Sequence, residues 1–131
     1  VMRRPELPPD LRRFIATSIP SVPYLEAVLL LRAEPSTAWT ASTMARRLYL
    51  PEADAARLLA DAAEAGMAQV SSGTQDPIYG YAPSTPELAQ VLDRLAAHYA
   101  VDLVTVTDLI HSKVEKRAQQ FADGFRWRKD T

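Results

Sequence analysis

All ten prolines of this chain lie in its first 86 residues, the last of them at Pro86. Proline fixes φ and lacks an N–H, so it is tolerated in the first turn of a helix and disruptive further in. Beyond Gly80 the only glycine is Gly124. Residues 87–123 therefore carry no strong breaker, which predicts a helical C-terminal third. Everything before Pro86 must be assembled from shorter pieces between breaks.

Those pieces can be read from their ends. Leu11, Phe14 and Ile15 predict a docked turn or short helix within residues 2–19. Ser21 is placed to cap a helix running to about Ala33, with Pro23 in its first turn. Leu25, Val28, Leu29, Leu30 and Leu31 make that helix apolar nearly all round, the pattern of a central helix. Thr40 caps a shorter helix through Met44, Ala45 and Leu48, and Tyr49-Leu50-Pro51 breaks it. Pro51 suits the first position of the next helix, residues 51–66. That helix turns Ala55, Leu58, Leu59 and Ala62 inward and ends at Gly66 in a left-handed cap. Trp39 and Tyr49 are expected at the rim of the core. Two extended segments follow, Ala68-Gln69-Val70 and Ile78–Tyr81, joined by a turn-rich loop.

The C-terminal third opens with Ser84 and Glu87 at capping-box spacing and Pro86 in the first turn. Its stripe is Leu88, Val91, Leu92, Leu95 and Tyr99. Residues 101–110 are rich in β-branched side chains. Leu103, Val106, Ile110 and Val114 nevertheless keep helical spacing, which predicts helix. Val114, Ala118, Phe121, Ala122 and Phe125 then predict a last amphipathic helix ending near Gly124.

The run Met44-Ala45-Arg46-Arg47-Leu48, followed by Arg57-Leu58-Leu59 and closing on Glu64-Ala65-Gly66-Met67, resembles the winged helix-turn-helix superfamily of bacterial transcriptional regulators. The resemblance covers residues 21–82. It implies a mainly α winged-helix fold with a two-stranded wing and a short first strand at Trp39-Thr40, to which the helices read from the spacing after Ser84 are a C-terminal addition. The chain divides on this reading into an N-terminal arm (1–20), a winged-helix core (21–82) and a C-terminal helical extension (83–131). The resemblance also implies DNA binding, with the helix at 51–66 in the major groove and the wing loop on the flanking backbone or minor groove.

Charge argues against the usual form of that activity. The chain holds 15 basic and 16 acidic residues, for a formal net of −1. The balance is a cancellation: residues 1–20 carry +2, residues 21–82 carry −3 and residues 83–131 are neutral. The groove-facing helix would present Glu52, Asp54, Asp61 and Glu64 against a single Arg57, and the wing loop has no Lys or Arg. DNA affinity rests on neutralised phosphates. A carboxylate about 5–6 Å from a phosphate, at an effective dielectric near 20, is repelled by roughly 3 kcal/mol before screening.

Two functional readings follow. In the first, the protein is a non-enzymatic bacterial regulator that acts by protein–protein contact, through the outer face Glu52, Ala53, Ala56, Arg57, Ala60 and Glu64 or through the C-terminal helices. In the second, it is a dimeric DNA-binding transcriptional regulator, paired through residues 84–125. It would bind with Arg46, Arg47, Arg57 and the basic termini, including Arg126, Arg128 and Lys129. The tail, residues 111–131, has a net charge of +3 and interleaves Phe121, Phe125 and Trp127 with its bases. It suits a nucleic acid, an acidic protein surface, or an amphipathic helix completing a dimer.

The remaining chemistry is sparse. With no cysteine, disulfides, thiolate zinc sites and thiol catalysis are excluded. His98, read as a surface residue, and His111, read as a helix-end residue, lack metal-ligand spacing to any partner. Asp102 and Asp108 read as solvated. No glycine-rich phosphate loop, cofactor motif or small-molecule site is evident. The longest apolar run is residues 27–31, far short of a membrane span, and a cytoplasmic location is expected.

Overall fold

The computed structural model describes residues 6–71 and 76–129, without the side chains of residues 114, 115, 117, 121 and 123–129. Six helices and two strands run in the order α1 (Pro9–Ser18), α2 (Val22–Ala33), α3 (Ala41–Leu48), α4 (Glu52–Glu64), β1 (Ala68–Ser71), β2 (Ile78–Tyr81), α5 (Pro86–Val101) and α6 (Leu103–Lys129). No single described helix is long and apolar enough to cross a membrane. They form two compact units, one spanning Pro23–Ala96 and one built from the described parts of Val1–Val22 and Ala97–Thr131.

The central unit is organised around α2, whose Tyr24, Leu25, Ala27, Val28 and Leu31 are all buried. Met44 of α3, Leu59 of α4, and Leu92 and Leu95 of α5 are fully excluded from solvent. α3 begins with a reciprocal cap. The Thr43 N–H donates to Thr40 Oγ1 (3.2 Å), and the Thr40 N–H donates to Thr43 Oγ1 (2.8 Å). A threonine thus takes the place that Glu or Gln usually fills in such a box.

The α3–α4 turn is tight. The Tyr49 and Leu50 N–H groups both donate to the Ala45 carbonyl. Tyr49 closes the turn in the left-handed region (φ 56°, ψ 47°) and is the only described non-glycine residue there. That conformation costs an L-residue about 1–2 kcal/mol. Pro51 sits one position outside the helix it was expected to begin, with its carbonyl accepting the Asp54 and Ala55 N–H groups.

α4 ends in a full Schellman motif. Gly66 has φ +81°, its N–H donates to Ala63, and the Met67 N–H donates to Ala62. The inward face is buried at Ala55, Leu59 and Ala62, while Leu58 is half-buried.

The wing is antiparallel, with Ala68 opposite Tyr81 and Val70 opposite Tyr79. Trp39 adds a third strand one residue long. Its N–H and carbonyl exchange hydrogen bonds of 3.2 and 2.7 Å with Tyr79. Trp39 is fully buried rather than at the rim, because it is held between that bridge and an Nε1–H bond to the Glu34 carbonyl (3.3 Å).

In the terminal unit α1 packs against α6. Leu7, Leu11, Ile15 and Ile19 recur every fourth residue and are buried, as are Val106 and Ile110 of α6. Lys113 Nζ donates to the carbonyls of Ile15 (3.5 Å) and Ile19 (3.1 Å), a cation at the negative end of α1.

Several expectations for the C-terminal third are corrected. The cap of α5 is Thr85 rather than Ser84: Thr85 Oγ1 accepts the Leu88 N–H at 3.0 Å. His98 and Asp102 are buried rather than solvated, since the face continues from Leu92 and Leu95 onto them and leaves Tyr99 half-exposed. Asp102 interrupts the helix and starts α6 by accepting the Thr105 N–H (3.3 Å) and hydroxyl (2.6 Å). His111 lies inside α6 rather than at a helix end, and α6 runs through Gly124 to Lys129. One glycine in a long helix costs about 1 kcal/mol, which does not end it.

Candidate nucleic-acid interface

α3, its turn and α4 present one continuous outer surface. Of the residues expected to face outward, Glu52, Ala53, Arg57, Ala60 and Glu64 are exposed and Ala56 is half-buried. Asp54 and Asp61 are exposed as well. A cleft of about 80 Å³ opens between the start of α3, the first turns of α4 and β2. Thr40, Ser42, Glu52, Ala56, Asp76 and Tyr79 line it. Two carboxylates, Glu52 and Asp76, therefore border the angle between α4 and the wing.

The arginine pair on α3 is divided. Arg47 makes a two-pronged contact with Glu34, Nη2 to Oε2 at 2.6 Å and Nη1 to Oε1 at 3.3 Å. Its guanidinium also lies 5.5 Å from the centre of the Trp39 ring. Hydrogen bonding from Arg47 holds the Glu34 carboxyl below its usual range, and the same contact raises Arg47. Arg47 thus braces α3 to the segment after α2, and its charge is already partly used. Arg46 is exposed and has no ion pair among the described residues, and Arg57 is in the same position. The side chains of Arg126, Arg128 and Lys129 lie outside the described residues.

Tyr49 departs from its expected place in the opposite direction to Trp39. Expected at the core rim, it is 94% exposed. Its left-handed backbone swings the side chain off the helix pair while the turn beneath it stays hydrogen-bonded. The signal for this was an aromatic in a tight turn where glycine or asparagine is ordinary.

Tyr79 and Tyr81 are half-buried, in keeping with a strand packed on its own unit. Burial raises the Tyr81 hydroxyl above its usual range, Asp93 adds to that and Arg32 opposes it. Among the described residues no group of three or more His, Asp or Glu side chains is arranged to hold a metal ion.

No family model and no curated protein matches this sequence. Its backbone does match solved structures. MepR, a transcription regulator of the Staphylococcus aureus multidrug efflux pump MepA, is 11% identical with a TM-score of 0.53, over 89% of this chain and 86% of that one. ZitR from Lactococcus lactis is 15% identical with a TM-score of 0.50, over 85% of this chain and 76% of that one. RV1404 from Mycobacterium tuberculosis is 11% identical with a TM-score of 0.49, over 83% of this chain, which spans 65% of its length. At such identities the likeness is one of architecture. Together with the capped α3, the tight turn, the Schellman-ended α4 and the bridged two-stranded wing, the likeness to MepR and ZitR shows a winged helix-turn-helix fold.

Proposed function

We propose that the protein is a DNA-binding transcription regulator that docks duplex DNA on the α3–α4 surface. The observation that carries this reading is the open outer face of α4, which holds Arg57 and stands beside Arg46 of α3, neither arginine having an ion pair among the described residues. The fold likeness to MepR supports it. The same surface is acidic, which favours weak affinity in which few phosphates are neutralised. Each neutralised phosphate contributes roughly −0.9 to the slope of log K against log salt, so a shallow slope is expected.

Fluorescence anisotropy of a random-sequence duplex at low salt tests the proposal. Binding in roughly the micromolar range is expected, weakening with salt and lost in the double variant Arg46→Glu/Arg57→Glu. A duplex left free at low salt would overturn it.

A second reading is contact with a protein through the same face. Four exposed carboxylates beside the small Ala53 and Ala60 favour it, since small residues let a partner helix approach closely. Loss of duplex binding with retention of a partner that requires Glu52 and Glu64 would decide for it.

A DNA-binding regulator of this kind is proposed to act as a dimer through α5 and α6. Val101, Leu103 and Val104 are 68%, 51% and 52% exposed at the junction of those helices, an apolar patch that self-association would cover. Leu103→Glu/Val104→Glu should shift the mass measured by light scattering from dimer to monomer. An unchanged mass in that variant would place the interface elsewhere.

A further inference from the structure

We propose that Tyr49 is a DNA-backbone contact, its phenolic O–H donating to a phosphate oxygen from the turn between α3 and α4. The inference rests on the DNA-binding reading above and adds to it a residue that neither charge nor the superfamily resemblance selects. Three observations converge on it.

The first is conformational. Tyr49 holds a left-handed backbone (φ 56°, ψ 47°), the region that favours glycine, and its ring is 94% exposed. No burial within the chain compensates for that placement. An aromatic kept in a strained, solvent-facing position points to a role outside the chain.

The second is rigidity. The Tyr49 and Leu50 N–H groups both bond to the Ala45 carbonyl, so the ring is carried on a fixed turn. A contact made from such a frame loses little ordering entropy on binding.

The third is electrostatic. Tyr49 stands three residues after the exposed Arg46 and three before Glu52, where the cationic end of α3 gives way to the acidic start of α4. A tyrosine hydroxyl bonds a phosphate without bringing a formal charge. It therefore supplies a contact on a surface short of cations, and tyrosine is among the side chains that position proteins on phosphates.

The contact has a signature distinct from that of a cation. Removing an arginine that neutralises a phosphate lowers the salt slope by about one, while removing a neutral donor leaves the slope unchanged. The experiment titrates one random-sequence duplex with the wild-type chain, Tyr49→Phe, Tyr49→Gly and Arg46→Gln across a salt series. Tyr49→Phe should bind about tenfold more weakly at every salt concentration, with an unaltered slope. Tyr49→Gly should lose at least as much affinity while melting at or above the wild-type temperature, so the loss cannot be assigned to unfolding. Arg46→Gln should flatten the slope. Wild-type affinity in Tyr49→Phe overturns the contact alone and leaves the DNA reading standing. A wild-type chain that does not bind the duplex overturns both.

Discussion

Tyr49 shows how one residue can be stable in a place that its own chain does not reward. Its left-handed backbone costs about 1–2 kcal/mol, and its ring is almost wholly in water. Glycine would relieve the backbone strain while adding chain entropy to the unfolded state. The net expectation for Tyr49→Gly is a gain of about 0.5–1 kcal/mol, seen as a rise of a few degrees in the calorimetric midpoint. A fall in the midpoint would mean that the ring makes stabilising contacts. The sequence displayed Tyr49-Leu50-Pro51 as a break, and the break is there. Whether its aromatic lay in or out was not legible, because that depends on the sign of one φ angle. Trp39 was unreadable in the same way: it is buried because Tyr79, forty residues away, bridges to it.

At the scale of elements, helix ends carry much of the specificity. Asp102 both ends α5 and starts α6, and it is buried while doing so. Asp102→Ala should cost about 1–2 kcal/mol, read from denaturant midpoints, with Asp102→Ser recovering part of it. An unchanged midpoint would mean that the Thr105 contacts contribute nothing. The sequence reading treated Asp102 as a solvated acid, since aspartate is rarely buried and its cap partner lies beyond the helix break.

The brace between Arg47 and Glu34 gives a pH dependence. The folded-state Glu34 carboxyl titrates below its ordinary range. Its contribution is therefore complete above that range and is lost as pH falls through the depressed value. The melting-temperature difference between wild type and Glu34→Gln should be present at neutral pH and should shrink on acidification below the usual carboxylate range. A difference independent of pH would show that the ion pair is not its source.

For the whole molecule, the distribution of charge matters more than its total. A net of −1 conceals an acidic winged-helix segment between more basic ends. If the α3–α4 surface meets DNA, Glu52→Gln/Glu64→Gln should tighten duplex binding roughly three- to tenfold at low salt, and the gain should fade as salt rises. Weakened binding would mean that those carboxylates make favourable contacts. The sequence by itself determined the order of elements through α5, the Thr40 cap, the break at Pro51, the glycine end of α4 and the two-stranded wing. Each of these is written in side chains within a few residues of where it acts. Tertiary structure alone decided that Arg47 is occupied by Glu34 and Trp39 while Arg46 stays open. It also decided that the buried face of α5 passes through His98, and that Tyr49 stands in solvent. Burial and ion pairing join residues far apart in the chain, and no local pattern encodes which distant partner arrives.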